Sequence, residues 1–166
     1  MAKRQEEFEQ VAMPHTRSLL RVARRLSSDL SSAEDLVQQT LLLAWRSFHQ
    51  FHPGTNARAW LFRILFNEYR ARARKPVVAM FPRVTEFEPR SDWRGVDTAI
   101  EMTQALARLT LEHRTVLLLS VVEGFTCQEV AGILAIPIGT VMSRLSRARE
   151  ALRGELMGEP QCKVLG

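Results

Sequence analysis

The sequence predicts an all-α protein of two small helical domains joined by an irregular linker. Leucine, alanine, arginine and glutamate dominate a chain of 166 residues that holds only 8 glycines and 7 prolines, which favours helices. Apolar residues recur at helical spacing in several stretches. That periodicity stops at residues 76–95, where three prolines occur. We therefore place the domains at residues 1–75 and 96–156, the linker at 76–95 and a tail at 157–166.

The composition also limits the classes of function. A formal charge of +5 suits a polyanionic partner such as nucleic acid. No apolar run is long enough to span a bilayer and no secretory signal is evident, so we expect a cytoplasmic protein without membrane insertion. Cys127 and Cys162 lie far apart and form no CxxC pair. We therefore expect neither a structural disulfide nor a zinc site.

Two helical segments open the first domain. The first runs from about Gln5 to Leu26 and is interrupted near Pro14. The second begins at a capping signal, Ser32 followed by Asp35, and runs to about Phe48. Its predicted core stripe is Ala33, Leu36, Val37, Thr40, Leu41, Ala44 and Phe48.

The opposite face of this second helix carries Glu34, Asp35, Gln38 and Gln39, together with Leu42. A merely solvated helix needs no exposed leucine, so this face indicates a protein partner.

The next segment combines aromatic rings with arginines. Residues 51–56 form a loop in which Asn56 is the predicted N-cap of a helix from residue 57 to about 75. Its inward residues are predicted to be Trp60, Leu61, Ile64 and Leu65, whereas Phe62, Phe66 and Tyr69 lie among the arginines. Rings for stacking and cations for phosphates suit single-stranded nucleic acid. A core of aromatic rings beneath solvated arginines is the alternative.

The second domain begins with a helix that contains Ile100, Ala105, Leu106 and Leu109. Thr110 is the predicted cap of the next helix, and Gly124 its predicted end. Thr126 and Glu129 form a capping box for a short helix. A turn is predicted at Ala135, Ile136 and Pro137.

A final helix from about Ile138 has a basic face. Its apolar stripe is Ile138, Val141, Leu145, Ala148 and Leu152, and its other face carries Thr140, Ser143, Arg144 and Arg147. Hydroxyls and arginines at the front of a helix suit the DNA major groove. A solvated helical hairpin with arginines outside has the same periodicity.

The sequence contains no motif of a catalytic site. It has no phosphate-binding glycine loop, no GxSxG elbow and no HExxH pair, and its 4 histidines are scattered. We therefore predict no catalytic residue, no metal and no cofactor.

Three segments in this order resemble bacterial extracytoplasmic-function (ECF) sigma factors of the sigma-70 class. They are AEDLVQQTLLLAWRSF at residues 33–48, FHPGTNARAWLFRILFNEYR at 51–70 and IPIGTVMSRLSRAREAL at 136–152. The resemblance implies that the first domain is sigma region 2, which docks on the β′ clamp and melts the minus-ten element. The resemblance also implies that the second domain is sigma region 4, which reads the minus-thirty-five element. The implied partners are core RNA polymerase through its β′ and β subunits, promoter DNA in duplex and single-stranded form, and an anti-sigma factor.

The same resemblance assigns roles to individual residues. For core polymerase these are Asp35, Gln38 and Gln39; for the minus-ten element they are Phe51, Asn56, Trp60, Arg63 and Asn67. For the minus-thirty-five element they are Thr140, Ser143, Arg144 and Arg147, with Arg149 as a phosphate contact. Three positions depart from the family. Gln39 stands where glutamate is common, and Leu41 stands where phenylalanine is common. Ala135 stands where glycine is common, which implies either strain or a different turn.

Two other functions fit parts of the pattern. A stand-alone helix-turn-helix regulator would bind duplex promoters without polymerase, and an interaction protein would sequester polymerase or sigma. Neither needs both the aromatic–arginine helix and the Asp35, Gln38 and Gln39 face, so the first domain favours the sigma factor.

Overall fold

The computed structural model describes residues 2–74 and 96–157. Within these ranges all regular structure is helical, and the helices form two compact units, so the predicted all-α, two-domain fold is confirmed. The predicted linker at 76–95 lies outside the described residues, as does the predicted tail beyond residue 157.

The first unit consists of four α-helices: α1 (Ala2–Ala12), α2 (Thr16–Leu26), α3 (Leu30–Ser47) and α4 (Ala57–Arg74). A 3-10 turn, Met13–His15, separates α1 from α2 at the predicted break, because Pro14 has no amide donor to continue the helix. A second 3-10 turn, Phe48–Gln50, follows α3 and leads into the loop before α4.

The N-cap of α3 is Asp29, not the predicted Ser32. The Ser32 amide donates to Asp29 Oδ1 at 2.8 Å, and the Ser32 hydroxyl donates to the other carboxylate oxygen at 2.7 Å. These bonds, the amide first, hold the pKa of Asp29 below its usual value. Both residue types are favoured caps, so the local sequence did not distinguish them.

The core of the first unit draws more on α4 than the sequence predicted. Phe62 and Phe66 are fully buried, whereas Trp60 and Ile64 are only half-buried. The reason is that α1, α2 and α3 all contact α4, which widens its buried arc. The α3 stripe is buried as predicted at Ala33, Leu36, Val37, Thr40 and Ala44, while Leu41 and Phe48 are half-buried.

The second unit contains α5 (Val96–Arg108), α6 (Leu111–Leu117), α7 (Cys127–Leu134) as far as Ala131, and α8 (Ile138–Met157). The chain continues from α6 into a short π-helix, Leu118–Val122. Helix α8 packs against α5 and α6 and buries Val141, Leu145 and Ala148. Ile138, which was predicted in this stripe, is instead exposed because it lies in the first turn of α8.

The predicted helix ends of the second unit are present. Thr110 Oγ1 accepts from the His113 amide at 3.3 Å, and Gly124 has a φ of +71°. Both bonds of the Thr126–Glu129 capping box form, at 3.2 and 2.8 Å. Ala135 has φ 53° and ψ 47°, so this alanine occupies the left-handed region that favours glycine.

Arg114 fastens the end of α5 to α6. Its Nε donates to the Leu106 carbonyl at 2.8 Å, and its Nη2 donates to the carbonyls of Ala107 and Leu109 at 2.7 and 3.1 Å. These are carbonyls at a helix terminus, which lack partners inside the helix.

In the described ranges, no single helix is both long and apolar enough to cross a membrane. One bent pair, α7 with α8, passes the same test of length and composition together.

Candidate nucleic-acid interface

Five aromatic rings lie close together in the first unit: Phe8, Trp45, Phe48, Phe51 and Trp60. The ring centroids of Phe51 and Trp60 are 5.0 Å apart. Phe48 stacks on Phe51 with centroids 5.9 Å apart and planes inclined by 9°. The two aromatic residues assigned to the minus-ten element are therefore in contact, although they lie on different elements.

An open pocket of about 800 Å³ adjoins this cluster. One side is formed by Phe51 and the following loop, including Pro53 and Thr55, and the other by α1, including Arg4 and Gln10. The volume falls within the roughly 300–1,000 Å³ that is typical of small-molecule sites. Sequence reasoning missed the contribution of α1, which no local motif signals.

The other residues assigned to the minus-ten element continue along one face of α4. Asn56, Trp60, Arg63 and Asn67 follow a spacing of i, i+4, i+7 and i+11, which keeps them on one side of a helix. Arg63 and Asn67 are exposed and Trp60 is half-buried. Asn56 is also the predicted N-cap, since its Oδ1 accepts from the Ala59 amide at 3.0 Å.

A cation next to this face affects a nearby histidine. Burial, and secondly the Arg58 guanidinium, lower the pKa of His15 below its ordinary value. Arg58 also lies over the Phe62 ring, 5.7 Å from its centroid. Neutral imidazole is thus favoured in the folded unit.

The predicted core-polymerase residues form a strip on α3. Asp35 and Gln38 are exposed, Gln39 is half-buried, and helical spacing places Leu42 on the same face. Leu42 is 42% exposed. The strip therefore combines a carboxylate, two amides and an apolar side chain.

In the second unit, α7 and α8 form the predicted helix-turn-helix. The chain bends by 107° between them, within the roughly 90–120° typical of this motif. Ser143 and Arg147 are exposed and Thr140 is half-buried near the start of α8. The Ser143 hydroxyl donates to the Thr140 carbonyl at 3.1 Å.

Arg144 differs from the other residues assigned to the minus-thirty-five element. Its Nη2 lies 3.1 Å from Oε1 of Glu112, in the first turn of α6. The Arg144 side chain is 24% exposed and that of Glu112 is 63% exposed. This ion pair joins residues 32 positions apart and has no signature in the local sequence.

Arg149 is not brought together with Thr140, Ser143 and Arg147. It lines a second pocket of about 460 Å³ with Cys127, Met142 and Ser146. Arg149 follows Thr140 by nine positions, or two and a half helical turns, so it lies on the opposite side of α8. Met142 and Ser146 are exposed beside Ser143, and sequence reasoning did not select them.

Within the described residues, no group of three or more histidine, cysteine, aspartate or glutamate side chains could hold a metal ion. The polar groups described above are instead arranged along exposed helix faces and a pocket edge, which suits binding of an extended partner.

Comparison with known families matches both units. The Sigma-70 region 2 family matches residues 11–76, and the Sigma-70, region 4 family matches residues 99–152. The ECF RNA polymerase sigma factor EcfG of Rhodopseudomonas palustris is 35% identical, over 81% of this chain and 77% of that protein. SigE of Mycolicibacterium smegmatis is 33% identical over 90% of this chain, which spans 61% of that relative's length.

Solved structures show the same relationship. The sigma factor RpoE from Bartonella quintana, solved in complex with the anti-sigma factor NepR, is 33% identical to this chain with a TM-score of 0.81. The match covers 93% of this chain and 99% of RpoE. CnrH, solved in complex with the cytosolic domain of CnrY, is 27% identical with a TM-score of 0.71, over 94% of this chain and 91% of CnrH. The chain therefore belongs to the ECF sigma factors of the sigma-70 family.

Proposed function

We propose that this chain is a promoter-specificity subunit that directs core RNA polymerase to a promoter and helps to open the DNA. The observation that carries the proposal is the contact of Trp60 with Phe51, a residue that lines the 800 Å³ pocket. A base that leaves the duplex finds a ring to stack on and a cavity to enter. Its capture offsets the few kcal/mol that unstacking costs, so melting needs no nucleotide hydrolysis. Sigma factors are initiation factors rather than enzymes, in accord with the predicted lack of catalytic residues.

The first unit would hold the melted strand along α4. Trp60 stacks on a base, the exposed Arg63 contacts the phosphates, and Asn56 and Asn67 donate or accept hydrogen bonds along the strand. Phe51 supports the Trp60 ring from the loop side.

The second unit would place α8 in the major groove of the minus-thirty-five element. Thr140, Ser143 and Arg147 face the bases, with Arg144 at the edge of this set. Arg149 lies across the helix, where it reaches a backbone phosphate on one side of the groove.

The α3 strip of Asp35, Gln38, Gln39 and Leu42 would bind the β′ clamp of core polymerase, and the β subunit is the other expected partner. Leu42 supplies the apolar contact and the polar residues the specificity. The matched control is Leu30, also on α3 and 50% exposed but off the strip. Leu42→Ala is expected to weaken binding to core polymerase in a pull-down titration, whereas Leu30→Ala is not. Equal effects of the two substitutions would remove the strip as the docking face.

We also propose that this chain acts in the cytoplasm, where polymerase is, and that an anti-sigma factor holds the chain inactive. RpoE and CnrH, which this chain resembles, were each solved in complex with another protein, in the case of RpoE an anti-sigma factor. Co-purification from native cells is expected to recover core polymerase and one such inhibitor.

Transcription in a purified system tests the main proposal. Genomic fragments are incubated with core polymerase with and without the chain, and RNA 5′ ends are sequenced. We expect discrete start sites that require both components. A chain that binds duplex promoters equally without core and adds no starts is a stand-alone regulator. A chain that only suppresses starts directed by another sigma factor is a sequestering protein.

A further inference from the structure

We propose that Glu112 is a positioning residue that orients Arg144 toward a base in the minus-thirty-five element. The proposal rests on the role of the second unit as the reader of that element. Glu112 lies outside the helix-turn-helix itself, because it belongs to α6.

Glu112 is held at a defined place. Thr110 caps α6 two residues earlier, with its hydroxyl accepting from the His113 amide. Two residues later, Arg114 fastens α6 to the end of α5. The carboxylate that meets Arg144 therefore projects from a turn that is fixed on both sides.

Arg144 needs such support to read a base. A guanidinium distinguishes guanine by two parallel N–H donors, so the plane of the group must be set in advance. Arg144 is a long, flexible side chain, and its Nη2 is the guanidinium atom that meets Glu112 Oε1 at 3.1 Å. A guanidinium carries five N–H donors, so a contact at Nη2 orients the group while other donors would serve a base edge.

Two other roles of the pair make different predictions. As a shield, the Glu112 carboxylate would repel DNA phosphates, and its removal would tighten binding to every sequence. As a simple surface ion pair it would contribute little to stability and nothing to base preference.

The test uses the full chain bound to core polymerase and promoter duplexes randomised over the upstream element, with bound DNA sequenced. Wild type is compared with Arg144→Ala, Glu112→Ala, Glu112→Gln and the double alanine variant. Arg144→Ala is expected to abolish the preference at one base position. Glu112→Ala is expected to lower that same preference about tenfold, within the range of a bidentate contact, and to leave other positions unchanged. The double variant should match Arg144→Ala, because the two residues act as one unit.

Glu155→Ala is the matched control. It removes the same charge and breaks another ion pair of α8, Arg108 with Glu155 at 3.0 Å, away from Arg144. Glu155→Ala should keep the preference. Glu112→Gln, which retains the side-chain shape, should fall between wild type and Glu112→Ala. Tighter binding to all sequences, or an unchanged preference in Glu112→Ala, would overturn the inference alone. A wild-type complex that shows no base preference in the minus-thirty-five element would overturn both the proposed role of the second unit and this inference.

Discussion

Replacing Ala135 with glycine is expected to stabilise the second unit by about 0.5–1 kcal/mol. Ala135 has φ 53° and ψ 47° at the turn between α7 and α8. An L-residue in this region costs roughly 1–2 kcal/mol. Glycine avoids that cost but loses about 0.5–1 kcal/mol of stability, because it has greater conformational freedom in the unfolded chain. A unit of this size shifts its Tm by roughly 4–8 °C per kcal/mol, so we expect a rise of about 2–8 °C in thermal unfolding followed by circular dichroism.

Two matched exchanges test the reasoning behind this sign. Gly124 has a φ of +71°, so Gly124→Ala is expected to destabilise the unit by a similar amount. Gly132 lies inside α7 and a Cβ there meets nothing within 4 Å, so Gly132→Ala is expected to raise the Tm. A fall in Tm on Ala135→Gly, with the other two signs as expected, would refute the idea that this turn is strained.

Three further predictions concern Trp60 and His15 in the first unit and Arg114 in the second unit. Trp60→Ala is expected to lower affinity for the melted minus-ten strand by about 1–3 kcal/mol while duplex binding stays unchanged; unchanged permanganate reactivity of promoter thymines would contradict it, and Ile64→Ala controls for lost packing. Arg114→Lys is expected to lower the free energy of unfolding by about 1–3 kcal/mol in urea titration, because lysine cannot reach three carbonyls. Burial and Arg58 lower the pKa of His15 in the folded state, so folding favours the neutral imidazole. The contribution of His15 to stability is therefore complete above about pH 6.5 and is lost as the pH falls toward the lower folded pKa. His15→Gln should remove that part of the pH dependence of Tm, and an unchanged profile would contradict the assignment.

Local signals in the sequence predicted the fold well. Pro137 and the apolar spacing of α8 located the helix-turn-helix, and the capping box at Thr126 located α7. These features depend on residues within one or two turns of each other, so no tertiary information was needed.

Tertiary packing explains the remaining differences. Phe62 and Phe66 are buried because three helices surround α4, and a helical pattern cannot tell how many neighbours a helix has. The ion pair of Glu112 with Arg144 and the α1 side of the pocket join residues that are far apart in sequence. Both are tertiary contacts, which a motif-based assignment does not include.

Trp60 also gives the molecule an intrinsic optical signal. Its ring centroid lies 5.0 Å from that of Phe51, which lines the pocket, whereas Trp45 packs edge-on against Phe8. Stacking of a base on Trp60 would quench its emission and leave that of Trp45 unaffected. In a chain with Trp45 and Trp93 replaced by phenylalanine, stopped-flow fluorescence would then time the capture of the melted strand without any attached label.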